Sequence, residues 1–327
     1  MKKHILIGSL ALTLAACGSG TNPVTGGGGG GSSNPTTLDL PPGTTNPSTS
    51  SGIQRYEAKD GSGNGFAQNV TYDSGSDTFT VDNLAFDGDN SYHRSVSVPN
   101  LGPFQVYENN NAFIDPVTGA SIPQDTYRAV RGDSTSGNTS FAIVRTGSFV
   151  PYGFGGFIYQ RNAGVSIPSS GQAHYAGNYA GLRDFDAAGG LQYVRGQMTM
   201  DIDFNDFNDG SGVTGSVTNR RVFNLTGSDV TAAVVAQINS EKGTSLTSLP
   251  TLNIAVGPGV IDGNGELSGD ISSFIPGPGG TAVAFETGKY YAVLTGDPAN
   301  EVAGIVVVKA SDSLKTRETG GFILYRP

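Results

Sequence analysis

The densest run of oxygen-bearing side chains in this sequence is Asp201-Ile-Asp203-Phe-Asn205-Asp206-Phe-Asn208-Asp209-Gly210. Calcium takes roughly six to eight such oxygens, so calcium binding is the first chemistry to weigh. The spacing departs from a helix-loop-helix calcium loop at two points. Asp206 stands sixth, where a sharp turn needs glycine, and Gly212 stands twelfth, where a bidentate carboxylate belongs. The run therefore reads as a solvated strand face entering a hairpin turn, with a loose calcium site over Asp201 to Asp209 as the alternative.

Nucleophilic chemistry has one candidate. Gly132-Asp133-Ser134 has the order of a chymotrypsin-like nucleophile segment, but Thr135 takes the place of the glycine that helps build an oxyanion hole. His93 and His174 are the only bases left once His4 is set aside in a segment expected to be cleaved. His174 alternates with Tyr175 on a predicted strand and reads as a solvated or capped residue. Haem iron could be held by Tyr290, Tyr291 or a histidine, but we expect no cofactor, no metal and no enzyme. Phe149, Tyr152, Phe154, Phe157 and Tyr159 could form a binding patch; Phe157 and Tyr159 read better as core.

The remaining reactive side chain is Cys17, the single cysteine, which excludes an intrachain disulfide and a thiolate metal cluster. Lys2 and Lys3 precede an apolar run, Ile5 to Ala16. As a helix this run rises only about 18 Å, against about 30 Å for a bilayer core. Leu14-Ala15-Ala16-Cys17 resembles the bacterial lipobox, which implies a signal peptide over 1–16 and a lipidated new N-terminus at Cys17. Gly18 in place of Asp implies sorting to the outer membrane. Residues 17–52 then read as a disordered tether, with six glycines at Gly26 to Gly31, several prolines and one charge, Asp39. Such a coil reaches about 30–35 Å.

These candidates must be positioned by β structure. Gly accounts for 49 of 327 residues and charged residues for 14%, a composition that excludes a long helical protein. The net charge of −9 gives no general attraction for nucleic acid or anionic lipid. Met198, Met200, Ile202 and Phe204 alternate with Gln197, Thr199, Asp201 and Asp203, the period of a half-buried strand. Eight such strands are predicted, at 172–182, 192–204, 212–219, 251–256, 265–273, 282–294, 302–309 and 320–326, enough for a small closed barrel. Gly215 and Gly269 each interrupt an apolar face, leaving room for a ring such as Tyr175 or Tyr179. Ser228 is the expected cap of a helix carrying Val230, Val234 and Ile238, stopped near Gly243, that covers one barrel end. The polar outward rows Gln197 to Asp203 and Glu266, Ser268 and Asp270 exclude a lipid-facing barrel.

Residues 53–168 read as a smaller β-rich domain, with hairpins at Asp73 to Asp77, Asp115 to Gly119 and Gly132 to Asn138, and 169–327 as the barrel domain. Gly155-Gly-Phe-Ile-Tyr-Gln-Arg161 and Gly320-Gly-Phe-Ile-Leu-Tyr-Arg326 are similar and suggest two β units closing on similar last strands.

Gln172-Ala-His-Tyr-Ala-Gly-Asn-Tyr-Ala-Gly181, Met198 to Phe204 and Gly212-Val-Thr-Gly-Ser-Val217 resemble transferrin-binding protein B-type lipoproteins. Gly265-Glu-Leu-Ser-Gly269, Gly288-Lys-Tyr-Tyr291 and Glu301-Val-Ala-Gly304 resemble that family's C-terminal barrel, which the factor H-binding lipoproteins share. The resemblance covers 171–327. It implies an all-β protein in which an eight-stranded antiparallel barrel follows a β handle. It further implies a monomer held on the outer membrane by its N-terminal lipid, surface-displayed, binding a protein or small solute, as in nutrient or haem acquisition. A periplasm-facing structural envelope lipoprotein is the alternative. No motif carries partner-binding residues over to this chain.

Overall fold

Alternation of apolar and polar residues builds most of this chain into antiparallel strands. The computed structural model describes residues 38–61, 65–82, 84, 91–109, 113–114, 116–122, 127–147, 151–205, 212–256 and 260–327. Cys17, the signal segment and Gly26 to Gly31 lie outside the described residues, as do Phe149 and Asp206 to Gly210.

The first sheet is formed by β1 (Ile53–Tyr56), β2 (Gln68–Asp73), β3 (Thr78–Asp82), β4 (Ser91–Arg94), β5 (Asn100–Leu101), β6 (Phe104–Asn109), β9 (Tyr127–Asp133), β10 (Thr139–Arg145) and β11 (Gly155–Arg161). Its order is β1-β11-β10-β9-β6-β4-β3-β2, with β5 hydrogen-bonded to β6. It curls until Phe66, just before β2, donates its backbone N–H to the Gly155 carbonyl at the far side. Phe79, Tyr92, Tyr107 and Tyr127 fill the inside of the curl. A separate hairpin pairs β7 (Phe113–Ile114) with β8 (Ser121–Ile122). The hairpin expected at Asp73 to Asp77 joins β2 to β3; of the one expected at Asp115 to Gly119, Asp115 lies outside the described residues and Pro116 to Gly119 lie between β7 and β8.

The second sheet is a closed barrel of eight strands in chain order: β12 (Gln172–Phe185), β13 (Ala188–Asp203), β14 (Val213–Phe223), β15 (Leu252–Ile254), β16 (Glu266–Pro276), β17 (Ala282–Thr295), β18 (Glu301–Ala310) and β19 (Arg317–Tyr325). All eight expected strands are present; β15 is shorter than its sequence run. Met198, Met200, Ile202 and Phe204 face the lumen together with Tyr175, Tyr179, Leu267, Tyr290 and Phe322. β11 and β19 are the last strands of their sheets, as their shared Gly-Gly-Phe-Ile motif suggested.

Four sequence expectations need correction. Gly269 does make room for a ring, since a Cβ there would come within 2.7 Å of Tyr290, but Gly215 faces the Thr199 carbonyl and the tip of Ile254. Tyr179 instead lies over Gly320, where a Cβ would come within 2.1 Å of its ring. The helix α1 (Thr231–Lys242) is not capped by Ser228, which closes a turn with Asn224; Asp229 accepts from the Thr231 N–H. Its buried residues are Val235 and Ile238, packed with Val222, Ile275, Phe285 and Ala310 over one end of the barrel.

The third correction concerns the outer wall, which is not polar all round. Ala180, Leu182, Val293, Ala303, Ile305 and Ile323 point outward and are buried against Phe141, Ile143, Phe157 and Tyr159 of the first sheet. A strand covered on both faces loses its polar alternation, which is why β18 reads as a continuous apolar run. The fourth concerns the tether, expected to run unordered to Gly52. From Leu38 onward it is held: Ser268 donates to the Asp39 carbonyl, Thr44 and Gln54 exchange bonds, and Arg161 grips the Ser48 and Ser51 carbonyls. Backbone hydrogen bonding by these residues offsets the ordering entropy that composition alone made prohibitive.

Candidate functional site

Beneath α1, the barrel lumen holds an ionic cluster. Inward-facing Arg220 on β14 donates to both oxygens of Glu286 on β17, at 2.8 and 2.6 Å, and to Glu318 on β19 at 3.0 Å. Arg183 on β12 lies 3.4 Å from the other Glu318 oxygen. Tyr179 donates to Glu318 at 2.8 Å and Ser273 to Glu286 at 2.5 Å. All four charged groups are buried, and the two arginines balance the two carboxylates. Burial alone would raise the Glu286 carboxyl, but the charge and hydrogen bonds of Arg220 outweigh it and hold it below its ordinary value. Compensated charge at this end, with Met198, Met200, Phe322 and Leu324 nearly fully buried beyond it, leaves the lumen filled by the chain's own side chains.

A second set of charges joins the two sheets. Arg55 on β1 meets Glu266 on β16 through two bonds of 2.7 Å. Arg145 on β10 donates to Glu57 and to the Thr319 hydroxyl of β19 and lies 3.7 Å from Asp184 of β12, which Arg317 of β19 pairs within the barrel. Ser136 of the β9–β10 turn and Thr139 at the start of β10 both donate to Glu301 of β18. Buried pairs amid apolar packing fix one register between the sheets. Glu266, expected on a solvated face, is fully buried.

The outer wall also carries a cleft of about 300 Å³, lined by Asn178 on β12, Arg195 and Gln197 on β13, Asn219 and Arg221 on β14, and the Leu101-Gly102 turn of the first sheet. A bulge builds it. Arg195 opposes Arg221 and Gln197 opposes Thr218, so β14 carries one extra residue, and Asn219 there takes φ 52°. The extra residue lets Arg220 turn into the lumen while Asn219 and Arg221 face outward. Asn219 donates to Gln197 at 2.9 Å.

The residues singled out in the sequence are placed as follows. Asp201 contacts His174 Nδ1 at 2.7 Å, and Asp203 accepts from Gln172 and from the Asn205 N–H. These two carboxylates thus serve cross-strand and turn contacts on an exposed face, and the rest of the calcium candidate falls outside the described residues. The Ser134 hydroxyl bonds Ser136 and the Thr139 N–H, as in a hairpin turn. Tyr290 is sealed in the lumen, and Tyr291 faces outward, 6.3 Å from Phe157. Burial raises the hydroxyls of both, Tyr291 to about 12. Phe157 and Tyr159 are core residues, while Tyr152 donates to the Lys315 carbonyl and lies under Arg317 and Lys309. Arg195, Arg221 and the bulge carry one signal in the sequence, a run of four polar residues, Thr218 to Arg221, that sets Val217 and Val222 an odd number of positions apart and so breaks the alternation.

No family model matches this chain, and no curated protein matches it. Among solved structures it is similar to a double mutant of the vaccine antigen transferrin binding protein B from Haemophilus parasuis Hp5. That match has 14% identity and a TM-score of 0.38, over 80% of this chain and 45% of that one. It is also similar to intact transferrin binding protein B with its N and C lobes, at 11% identity and TM-score 0.34, over 76% of this chain and 51% of that one. A crystal structure described as a surface lipoprotein matches at 12% identity and TM-score 0.32, over 60% of this chain and 79% of that one. This chain thus spans about half the length of the transferrin binding protein B structures. The resemblance read from the strand motifs is met again in these solved structures.

Proposed function

We propose that this protein is a lipid-anchored outer-membrane lipoprotein, displayed at the cell surface, that binds a partner through the outside of its barrel. The observation that carries the reading is the filled lumen. Small solutes are commonly held in the mouths of barrels. Here the lumen is occupied by Tyr175, Tyr179, Met198, Met200, Tyr290 and Phe322, with charge-balanced Arg220, Glu286 and Glu318 below the helix. Binding is left to loops, hairpin tips and the outer wall, which the glycine-rich stretch of sequence between Cys17 and Leu38 would present away from the membrane. Nutrient capture, haem included, would use those surfaces and not Tyr290.

The anchor is tested by metabolic labelling with a fatty acid in cells producing the full chain. The wild type is expected to take up label and fractionate with membranes, and Cys17→Ala to lose both. Equal labelling of the two would overturn the anchor.

A further inference from the structure

We propose that the cleft between the Leu101-Gly102 turn and the bulged wall of β13 and β14 binds an acidic sugar. This deepens the reading above by naming a ligand class. Purified protein tests it in solution, whatever its cellular location. Arg195 and Arg221 are direct cross-strand partners, both exposed and both outward. Like charges directly opposite on a sheet are destabilising. Arg221 is relieved by Asp229, and both guanidiniums lie over the Phe223 ring, 5.1 and 5.7 Å from its centre. The cleft lining contains these two arginines and no carboxylate, although acidic residues outnumber basic ones 28 to 19 in the chain. A planar guanidinium fork suits a carboxylate, and an anion seated between the pair would remove the remaining repulsion.

The other lining groups point to a sugar in preference to a bare anion. Asn178, Gln197 and Asn219 are side-chain amides, each offering a donor and an acceptor, the pairing that hydroxyl groups require. The Asn219–Gln197 bond orients two of them and leaves the Gln197 NH₂ and the Asn219 carbonyl oxygen for a ligand. A volume of about 300 Å³ is at the small end of ligand sites and matches a single ring. The cleft walls belong to the two different sheets, and the buried pairs that lock those sheets hold the site in shape before a ligand arrives.

The test is calorimetric titration of the full chain with glucuronate, N-acetylneuraminate, methyl glucoside, acetate and sulfate. Saturable binding of at least one acidic sugar is expected, weakened at least tenfold by Arg195→Gln and severalfold by Asn178→Ala, and unchanged in Lys289→Gln. Arg195 is exposed and makes no ion pair among the described residues, so its variant should fold; a circular dichroism spectrum checks this, and Asn178→Ala carries the test if it does not. Three results overturn the proposal: no saturation by either acidic sugar, acetate or sulfate binding as tightly as the acidic sugars, or methyl glucoside binding as well as they do.

Discussion

Glu266, on the outer wall of the barrel, is fully buried and receives both hydrogen bonds of the Arg55 guanidinium at 2.7 Å. The pair ties the first strand of one sheet to a strand of the other. Its planar, two-bond geometry selects one relative placement of the sheets where apolar contact alone would allow sliding.

Removing one member of this pair strands a buried charge. Glu266→Ala is expected to cost about 3–5 kcal/mol. The double variant Arg55→Met with Glu266→Leu should recover most of that, because two apolar groups fit the surrounding interface. Urea unfolding curves of the three proteins check this, and a single variant as stable as the wild type would contradict it.

Gly320 and Gly321 are successive residues that serve opposite faces of β19. A Cβ on Gly320 would meet the Tyr179 ring at 2.1 Å inside the barrel, and one on Gly321 would meet the Phe141 ring at 2.2 Å outside it. Each Gly→Ala change is expected to destabilise by about 1–3 kcal/mol. Phe141→Leu should rescue part of the Gly321→Ala loss and none of the Gly320→Ala loss. Thermal melts of the singles and doubles distinguish the two faces.

These glycines show how far the sequence could be read. The barrel strands were legible because Met198 to Phe204 and their like keep a strict two-residue period. The room left by glycine was legible as a need, but not as a pairing: Tyr179 meets Gly320 and Tyr290 meets Gly269 through barrel closure, which no local pattern encodes. Glu266 read as a solvated charge because charged residues are seldom buried without partners, and its partner Arg55 is distant in sequence. The cleft arginines were hidden by the bulge at Asn219, which breaks the alternation that located everything around it.

Buried tyrosines predict an alkaline limit. Desolvation pushes Tyr175, Tyr193 and Tyr291 up to about 12, and Tyr159 and Tyr179 well above the ordinary value near ~10. The folded chain keeps these protons where the unfolded chain releases them. Their contribution to stability is therefore complete below the ordinary tyrosine value and is lost as pH rises past it towards 12. Tyrosinate absorbance should show a late phase that coincides with loss of β-sheet signal. A single phase near the ordinary value would contradict the burial.

The acid limb has the opposite sign. Against the effect of burial, Arg220 holds Glu286 below the carboxylate range, so the unfolded chain takes up this proton first. The stability from the lumen cluster is complete above about 4.3 and falls as pH drops through the depressed value. Glu286→Gln is expected to be less stable at neutral pH and to lose less on acidification, as read from denaturant midpoints across the acid range. Parallel profiles for variant and wild type would contradict it.

The most direct measurement of the central claim is protease treatment of intact cells producing the full chain, followed by immunoblotting for the folded β region. A surface-displayed binding protein predicts that protease added outside, without lysis, cleaves before Leu38 and releases a resistant fragment containing both sheets. Complete protection until the outer membrane is permeabilised would place the protein on the periplasmic face and contradict the account.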